Sequence, residues 1–259
     1  MTVDQIKEFY PPILRENAGF TKYLLKEYVQ LLILDYLSST PHVRKLTFIG
    51  GTNLRLVMGI DRFSEDLDFD CKDLSEAEFR RMSDDVITFL KRSGLRVAAR
   101  DTESSRLTAF RRSLHFPELL FDLGLSGHRE QRFMVKLEAQ DQGVPYEPTL
   151  AFIKGCGLFF SFPAPSNGVL CAMKIAAALD RGKGRDYYDT MFLLSRTEPD
   201  YRFLAQRCGI HNLPELKEAI IDGLGSVNLL HKQRDFEHLL FNRDNSKRIL
   251  DFPRFIQEL

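Results

Sequence analysis

Two neighbouring stretches, Phe48-Ile49-Gly50-Gly51-Thr52-Asn53-Leu54-Arg55 and Arg62-Phe63-Ser64-Glu65-Asp66-Leu67-Asp68-Phe69-Asp70, decide how this chain reads. Lys45 to Ile49 is a short β-rich run that stops at a double glycine. Asn53 to Met58 reads as a short helix starting directly after Gly50, Gly51 and Thr52. A strand that ends in two glycines and a hydroxyl and then opens a helix makes a phosphate cradle. Glycine allows close backbone approach, and a helix N-terminus offers unbonded N–H groups and partial positive charge. Asp66 and Asp68 follow, two apart on a run alternating charged and apolar residues, so a strand there sends both carboxylates to one face. Paired carboxylates beside a phosphate cradle are a ligand set for Mg²⁺ shared with a nucleoside triphosphate (NTP). Each signal alone has a bland explanation, a turn for the glycines and a solvated strand face for the acids. Their order, strand, cradle, helix, acidic strand, carries the functional reading.

The flanks supply a frame. Upstream, Thr21–Ser38 repeats apolar residues at three- and four-residue steps, predicting an amphipathic helix closed by Pro41. Downstream, 75–92 reads as a helix with Ser75 and Glu78 forming a capping box. Beyond Gly94, the segments 95–100, 105–113, 114–122 and 131–139 read as strands. Phe162-Pro163-Ala164-Pro165-Ser166-Asn167-Gly168 punctuates the chain, and past it 169–181, 186–195, 200–207, 213–222, 235–240 and 245–257 read as helices. The expected fold is α+β: a mixed-sheet core with N-terminal helices over 1–163, then a helical domain over 164–259.

Composition narrows the function classes. The 259 residues carry 36 Lys plus Arg against 36 Asp plus Glu, which excludes a uniformly basic nucleic-acid coat. The balance is uneven locally, with a net of −6 over Asp61–Asp85 and +5 over Lys91–Arg112. An acidic segment beside a basic one suits a site that holds divalent cations and meets a polyanion; two solvated faces of opposite sign explain the counts as well. The four cysteines have no zinc-knuckle spacing, the six histidines form no ligand pair, and no Ser–His–Asp arrangement can be argued. Scattered thiols suggest a reducing compartment. The opening residues lack the basic-then-apolar pattern of a signal peptide, and apolar runs fall far short of the ~20 residues that span a bilayer. The expectation is a cytoplasmic protein with no membrane partner.

The stretch from Gly50 to Asp70 resembles the AbiEii/AbiGii toxin family, including its MenT-type members, within the polymerase-β-like nucleotidyltransferases. The matching positions are Gly50, Gly51, Thr52, Arg55, Arg62, Phe63, Ser64, Asp66, Leu67, Asp68 and Phe69. A second match runs from Lys174 to Arg181 and on through Arg185-Asp186-Tyr187-Tyr188-Asp189. Lys174 and Arg181 are seven apart on one helix, Asp186 and Asp189 three apart on the next, so each pair shares a face. A surface helix pair joined by a Gly182/Gly184 hairpin and a structural ion pair is the alternative.

The resemblance implies transfer of a nucleotide from an NTP to an acceptor hydroxyl, with Mg²⁺, or alternatively Mn²⁺, on Asp66 and Asp68. Thr52 and the amides at Gly50 and Gly51 would take the terminal phosphates, with Arg55 and Ser64 nearby. A third carboxylate, as base or metal ligand, is expected on a later strand. Glu138 in Phe133–Glu138 is preferred to Asp122, which brings Lys136 to the same face as a phosphate ligand. Lys174 and Arg185 would neutralise charge on pyrophosphate, Asp189 would orient one of them, and Arg181 and Asp186 complete the nucleotide-binding set. By the same resemblance the role is the toxin of a type IV toxin–antitoxin or abortive-infection pair, with tRNA as acceptor and a cognate antitoxin. A small-molecule or protein nucleotidyltransferase, or a catalytically silent nucleotide-binding module, are the rivals.

Overall fold

A computed structural model describes residues 2–100 and 109–259, and these described residues form seven strands and a larger number of helices. Contacts divide it into two units. The first comprises residues 1–59, 63–142 and 150–164; the second comprises 60–62, 143–149 and 165–259.

The first unit is built on a five-stranded mixed sheet. Its strands are β1 (Leu46–Ile49), β2 (Leu67–Cys71), β3 (Ala98–Arg100), β4 (Phe110–His115) and β5 (Met134–Gln140), in spatial order β1-β2-β5-β4-β3. Only β2 and β5 run parallel; the other neighbours are antiparallel. Parity sets the two faces. Leu67, Phe69 and Cys71 on β2 and Val135, Leu137 and Ala139 on β5 are buried, while Asp68, Lys136 and Glu138 lie on the opposite face and stay partly exposed. A hairpin of β6 (Thr149–Gly155) and β7 (Leu158–Ala164) adds Phe162 to the core, where it packs 6.1 Å from Phe48 and 5.8 Å from Phe69 between ring centres. Helix Thr21–Ser38 lies against β7, β5 and helix Glu76–Arg92.

Most sequence expectations for this unit fit within a few residues. Thr21–Ser38 has the expected ends, and Ser75 caps Glu76–Arg92 with Glu78 as its reciprocal partner. Three readings need correction. The helix expected from Asn53 already begins at Gly50 and runs to Leu56, so both glycines lie in its first turn. The strand expected over 114–122 stops at His115; Pro117 and a left-handed Glu118 (φ 58°) turn the chain into a short helix, Leu119–Asp122. The β6–β7 hairpin was not anticipated. The first part of the strand expected over 105–113 lies outside the described residues.

The second unit is helical after Ser166, which caps helix Asn167–Asp180. Helices Gly184–Leu194, Tyr201–Cys208 and Leu213–Leu224 follow close to the expected bounds. Near the C-terminus the expected helices over 235–240 and 245–257 become 3₁₀ turns, Glu237–Leu239 and Arg243–Asp251, then an α-helix, Phe252–Glu258, with Pro253 in its first turn. A further short helix, Leu229–Arg234, precedes them. Among the described residues no helix is long and apolar enough to cross a membrane.

Candidate active site

Ile49, the last residue of β1, is paired with Asp68 on β2, and Asp68 is paired in turn with Glu138 on β5. Paired residues share a sheet face, so Asp68 and Glu138 stand side by side. Gly50 follows with φ 81°, and a Cβ there would fall on the Asp68 carboxylate and lie 2.7 Å from Asp68 Cβ. The glycine therefore makes room for Asp68 as well as turning the chain. The buried Thr52 hydroxyl donates to the Asp66 carbonyl at 2.5 Å, and the Asn53 amide donates to the Phe48 carbonyl at 2.7 Å. Helix Gly50–Leu56 is thus stitched to the end of β1 and to the residue that leads into β2. Gly51 is buried within it.

Two cations border the acids. Lys136 Nζ lies 3.7 Å from Asp66 Oδ2, and Arg111 Nε, opposite Glu138 on β4, lies 3.0 Å from Glu138 Oε2. Asp122 is on the Leu119–Asp122 turn, paired with Arg96. Of the two candidates for third carboxylate, only Glu138 is in register with Asp68. Asp66, Asp68 and Glu138 offer oxygen donors only, the chemistry that Mg²⁺ and Mn²⁺ take. Among the described residues no three His, Cys, Asp or Glu side chains gather closely enough to cage an ion. The donor set fits an ion that shares its shell with substrate phosphates and water, which is how Mg²⁺ is commonly held.

Behind this face, three buried polar residues of helix Thr21–Ser38 hold the motif from both ends. Glu27 takes Arg55 in a fork, Nε–Oε2 2.8 Å and Nη2–Oε1 3.2 Å. Gln30 Nε2 donates to the Ser64 carbonyl at 3.2 Å, and Lys26 Nζ binds Glu65 at 2.8 Å. Phe63 is packed between Phe20 and Tyr23, 5.3 and 5.1 Å between ring centres. Arg55 and the Ser64 carbonyl thus have partners on this helix. Lys26, Glu27 and Gln30 escaped the sequence reading, which followed apolar periodicity. Their signal was present: spacings of three and four put a polar stripe on one face of an otherwise apolar helix.

In the second unit the central group is Asp189, which is fully buried. Arg62 meets it in a fork, Nε–Oδ1 2.7 Å and Nη2–Oδ2 2.6 Å, and Lys174 Nζ approaches to 2.8 Å. Burial alone would raise this carboxyl; Arg62 first and Lys174 second overcome it and hold it down at about 2. Arg181 forks onto Asp186, both bonds 2.9 Å, and the Lys183 amide donates to the same carboxylate at 3.1 Å, clipping the turn between the two helices. Gly184 is required there, since a Cβ would strike the Lys232 carbonyl and lie 2.8 Å from Phe236 Cδ1. Arg185 is half-buried on the same helix.

Among the described residues the strand bases of 91–112 are divided between the two sheet faces. Arg111 lies on the carboxylate face, while Arg112, paired with Leu137, is on the other and reaches Asp84 and the Ser83 hydroxyl, both at 2.7 Å. Arg96 is held by Glu118 and Asp122. Arg106 lies outside the described residues.

Residues 32–240 match the family described as nucleotidyl transferase AbiEii toxin, type IV TA system. The chain belongs to the AbiEii family. Its members are nucleotidyltransferase toxins of type IV toxin–antitoxin systems, which implies an NTP substrate and a cognate antitoxin. Among solved structures, MenT4, the nucleotidyltransferase toxin Rv2826c from Mycobacterium tuberculosis H37Rv, shares the fold at TM-score 0.64 and 18% identity, covering 100% of this chain and 90% of its own. JHP933 from Helicobacter pylori matches at TM-score 0.53 and 20% identity over 91% and 90% of the two chains. A putative nucleotidyltransferase from H. pylori matches at 0.54 and 20% over 91% and 93%. No curated protein matches. The AbiEii assignment agrees with the resemblance carried by the Gly50–Asp70 stretch, and the solved structures agree with the α+β expectation.

Proposed function

We propose that this AbiEii toxin moves a nucleoside monophosphate from an NTP to a hydroxyl at the 3′ end of tRNA, with Mg²⁺ or Mn²⁺ as cofactor. The observation that carries the reading is the row made by Asp68 and Glu138, with Gly50 cut back to admit the Asp68 carboxylate. Asp66 and Asp68 would hold the metal, which supplies polarisation of the phosphoryl oxygens when bound. Glu138 accepts the proton of the attacking hydroxyl or contributes a ligand. The hydroxyl oxygen bonds to the α-phosphorus, the bond from that phosphorus to the bridging oxygen breaks, and pyrophosphate leaves with the electron pair. Amides at Gly50 and Gly51, with Lys136, take phosphate charge, whereas Thr52 acts through the Asp66 carbonyl it binds. Catalysis in this scheme is positioning plus electrostatics.

The test is incubation of the pure protein with Mg²⁺, each α-labelled NTP in turn, and total RNA. Label entering the tRNA band is the expected result. Label entering protein or a small molecule instead would replace tRNA as acceptor, and no incorporation from any NTP would remove the transferase reading.

A further inference from the structure

Sheet register places more than the acids on the carboxylate face. Arg111 lies in the row of Asp68 and Glu138; one step along, Arg100 on β3, Ser113 on β4 and Lys136 on β5 are successive partners in a second row. Arg100 and Arg111 are exposed and Lys136 is 42% exposed, so these cations face solvent. β3 is the sheet edge. With strands about 4.8 Å apart, the row from β2 to β3 spans about 14 Å. It has acids at one end and cations with a hydroxyl along the rest. We propose that this sheet face is the track on which the backbone of the RNA acceptor lies, its phosphates on Lys136, Ser113 and Arg100 and its reacting end at Asp68 and Glu138.

The argument rests on charge and reach. Arg111 and Lys136 lie beside carboxylates and can serve the triphosphate as well, but Arg100 lies three strands from Asp68 with no acid opposite it in the ladder. A cation so placed suits a longer polyanion extending from the reacting end. Among the described strand residues on this face there is no Phe or Tyr, and His115 is the single aromatic ring, which leaves little platform for stacked bases. Recognition along the track is therefore through phosphates, weakly dependent on sequence and strongly dependent on salt. Arg112, one residue from Arg111 but on the opposite face, takes no part.

The inference rests on the proposed transfer to tRNA and can fail separately from it. The experiment measures tRNA binding against KCl concentration, together with label transfer, for the wild type, Arg100→Glu, Arg100→Gln and the control Arg92→Glu. Arg92 is exposed at the end of helix Glu76–Arg92, in the same basic stretch but off the sheet. Arg100→Glu should weaken tRNA binding about tenfold and flatten the slope of log K against log salt by about one, with Arg100→Gln between it and the wild type. Arg92→Glu should match the wild type, and thermal melting should be alike for all. If the wild type labels tRNA but Arg100→Glu binds and transfers unchanged, or Arg92→Glu loses as much, the track is wrong and the proposed function stands. If the wild type neither binds nor labels tRNA, both fall. Polyglutamate competing as well as tRNA would point to an acidic protein and overturn the RNA assignment.

Discussion

At the scale of single residues, the corner where Gly50 meets Asp68 is the most constrained point of the candidate site. Alanine at 50 must adopt a positive φ, costing roughly 1 kcal/mol, and must displace the Asp68 side chain as well. Gly50→Ala should therefore lower kcat by at least about tenfold, a scale set by moving a reacting group only slightly, and should lower unfolding stability by roughly 1 kcal/mol or more. Steady-state kinetics alongside urea unfolding checks this. Asp189 is the opposite kind of residue, one whose loss strikes the fold. Asp189→Asn leaves Arg62 and Lys174 facing a buried neutral amide and should cost about 3–5 kcal/mol in urea unfolding. The sign of its pH dependence follows from its depressed carboxyl. The stabilisation is complete above the ordinary carboxylate range near 4 and is lost as pH falls toward about 2. Urea midpoints between pH 5 and 2.5 should fall more steeply for the wild type than for Asp189→Asn; parallel curves would contradict the assignment.

Elements show what the sequence discloses and what it hides. Helix Thr21–Ser38 was legible because apolar spacing records burial, and the Ser75–Glu78 cap because its chemistry is local. The role of Lys26, Glu27 and Gln30 was not legible, since their partners Glu65, Arg55 and Ser64 are 28 to 39 residues away in the chain. The Asp-x-Asp spacing predicted one strand face for Asp66 and Asp68, but β2 begins at Leu67, so only Asp68 is a strand residue. The pairing of Asp68 with Glu138 comes from the parallel register of β2 with β5, which local spacing cannot encode. The β6–β7 hairpin had a readable signal in Gly155-Cys156-Gly157 between two β-rich runs, but its strands are not evenly alternating. The helix clamp yields its own prediction. Gln30→Ala leaves the Ser64 carbonyl without that amide and should cost about 1–3 kcal/mol. Because that carbonyl sits two residues before Asp66, kcat should fall more than KM for NTP rises. An unchanged kcat in a variant of reduced stability would make Gln30 purely structural.

For the whole molecule, zero net charge conceals a division of labour. The first unit carries Asp68 and Glu138 on one sheet face with Asp66 just before β2, and the second pairs Asp186 with Arg181 and Asp189 with Arg62 and Lys174. The segment 60–62 belongs to the helical unit although Asp66 follows only four residues after Arg62, so one short motif serves both. The central claim is that the Asp68–Glu138 row performs the transfer, and label transfer from NTP to tRNA by Asp68→Asn, Glu138→Gln and Asp122→Asn, each with a wild-type melting profile, tests it most directly. The account predicts that Asp68→Asn and Glu138→Gln each lose on the order of 10²–10³-fold in rate while Asp122→Asn keeps wild-type transfer. Near-wild-type transfer by Asp68→Asn, or loss in Asp122→Asn with Glu138→Gln active, would contradict it.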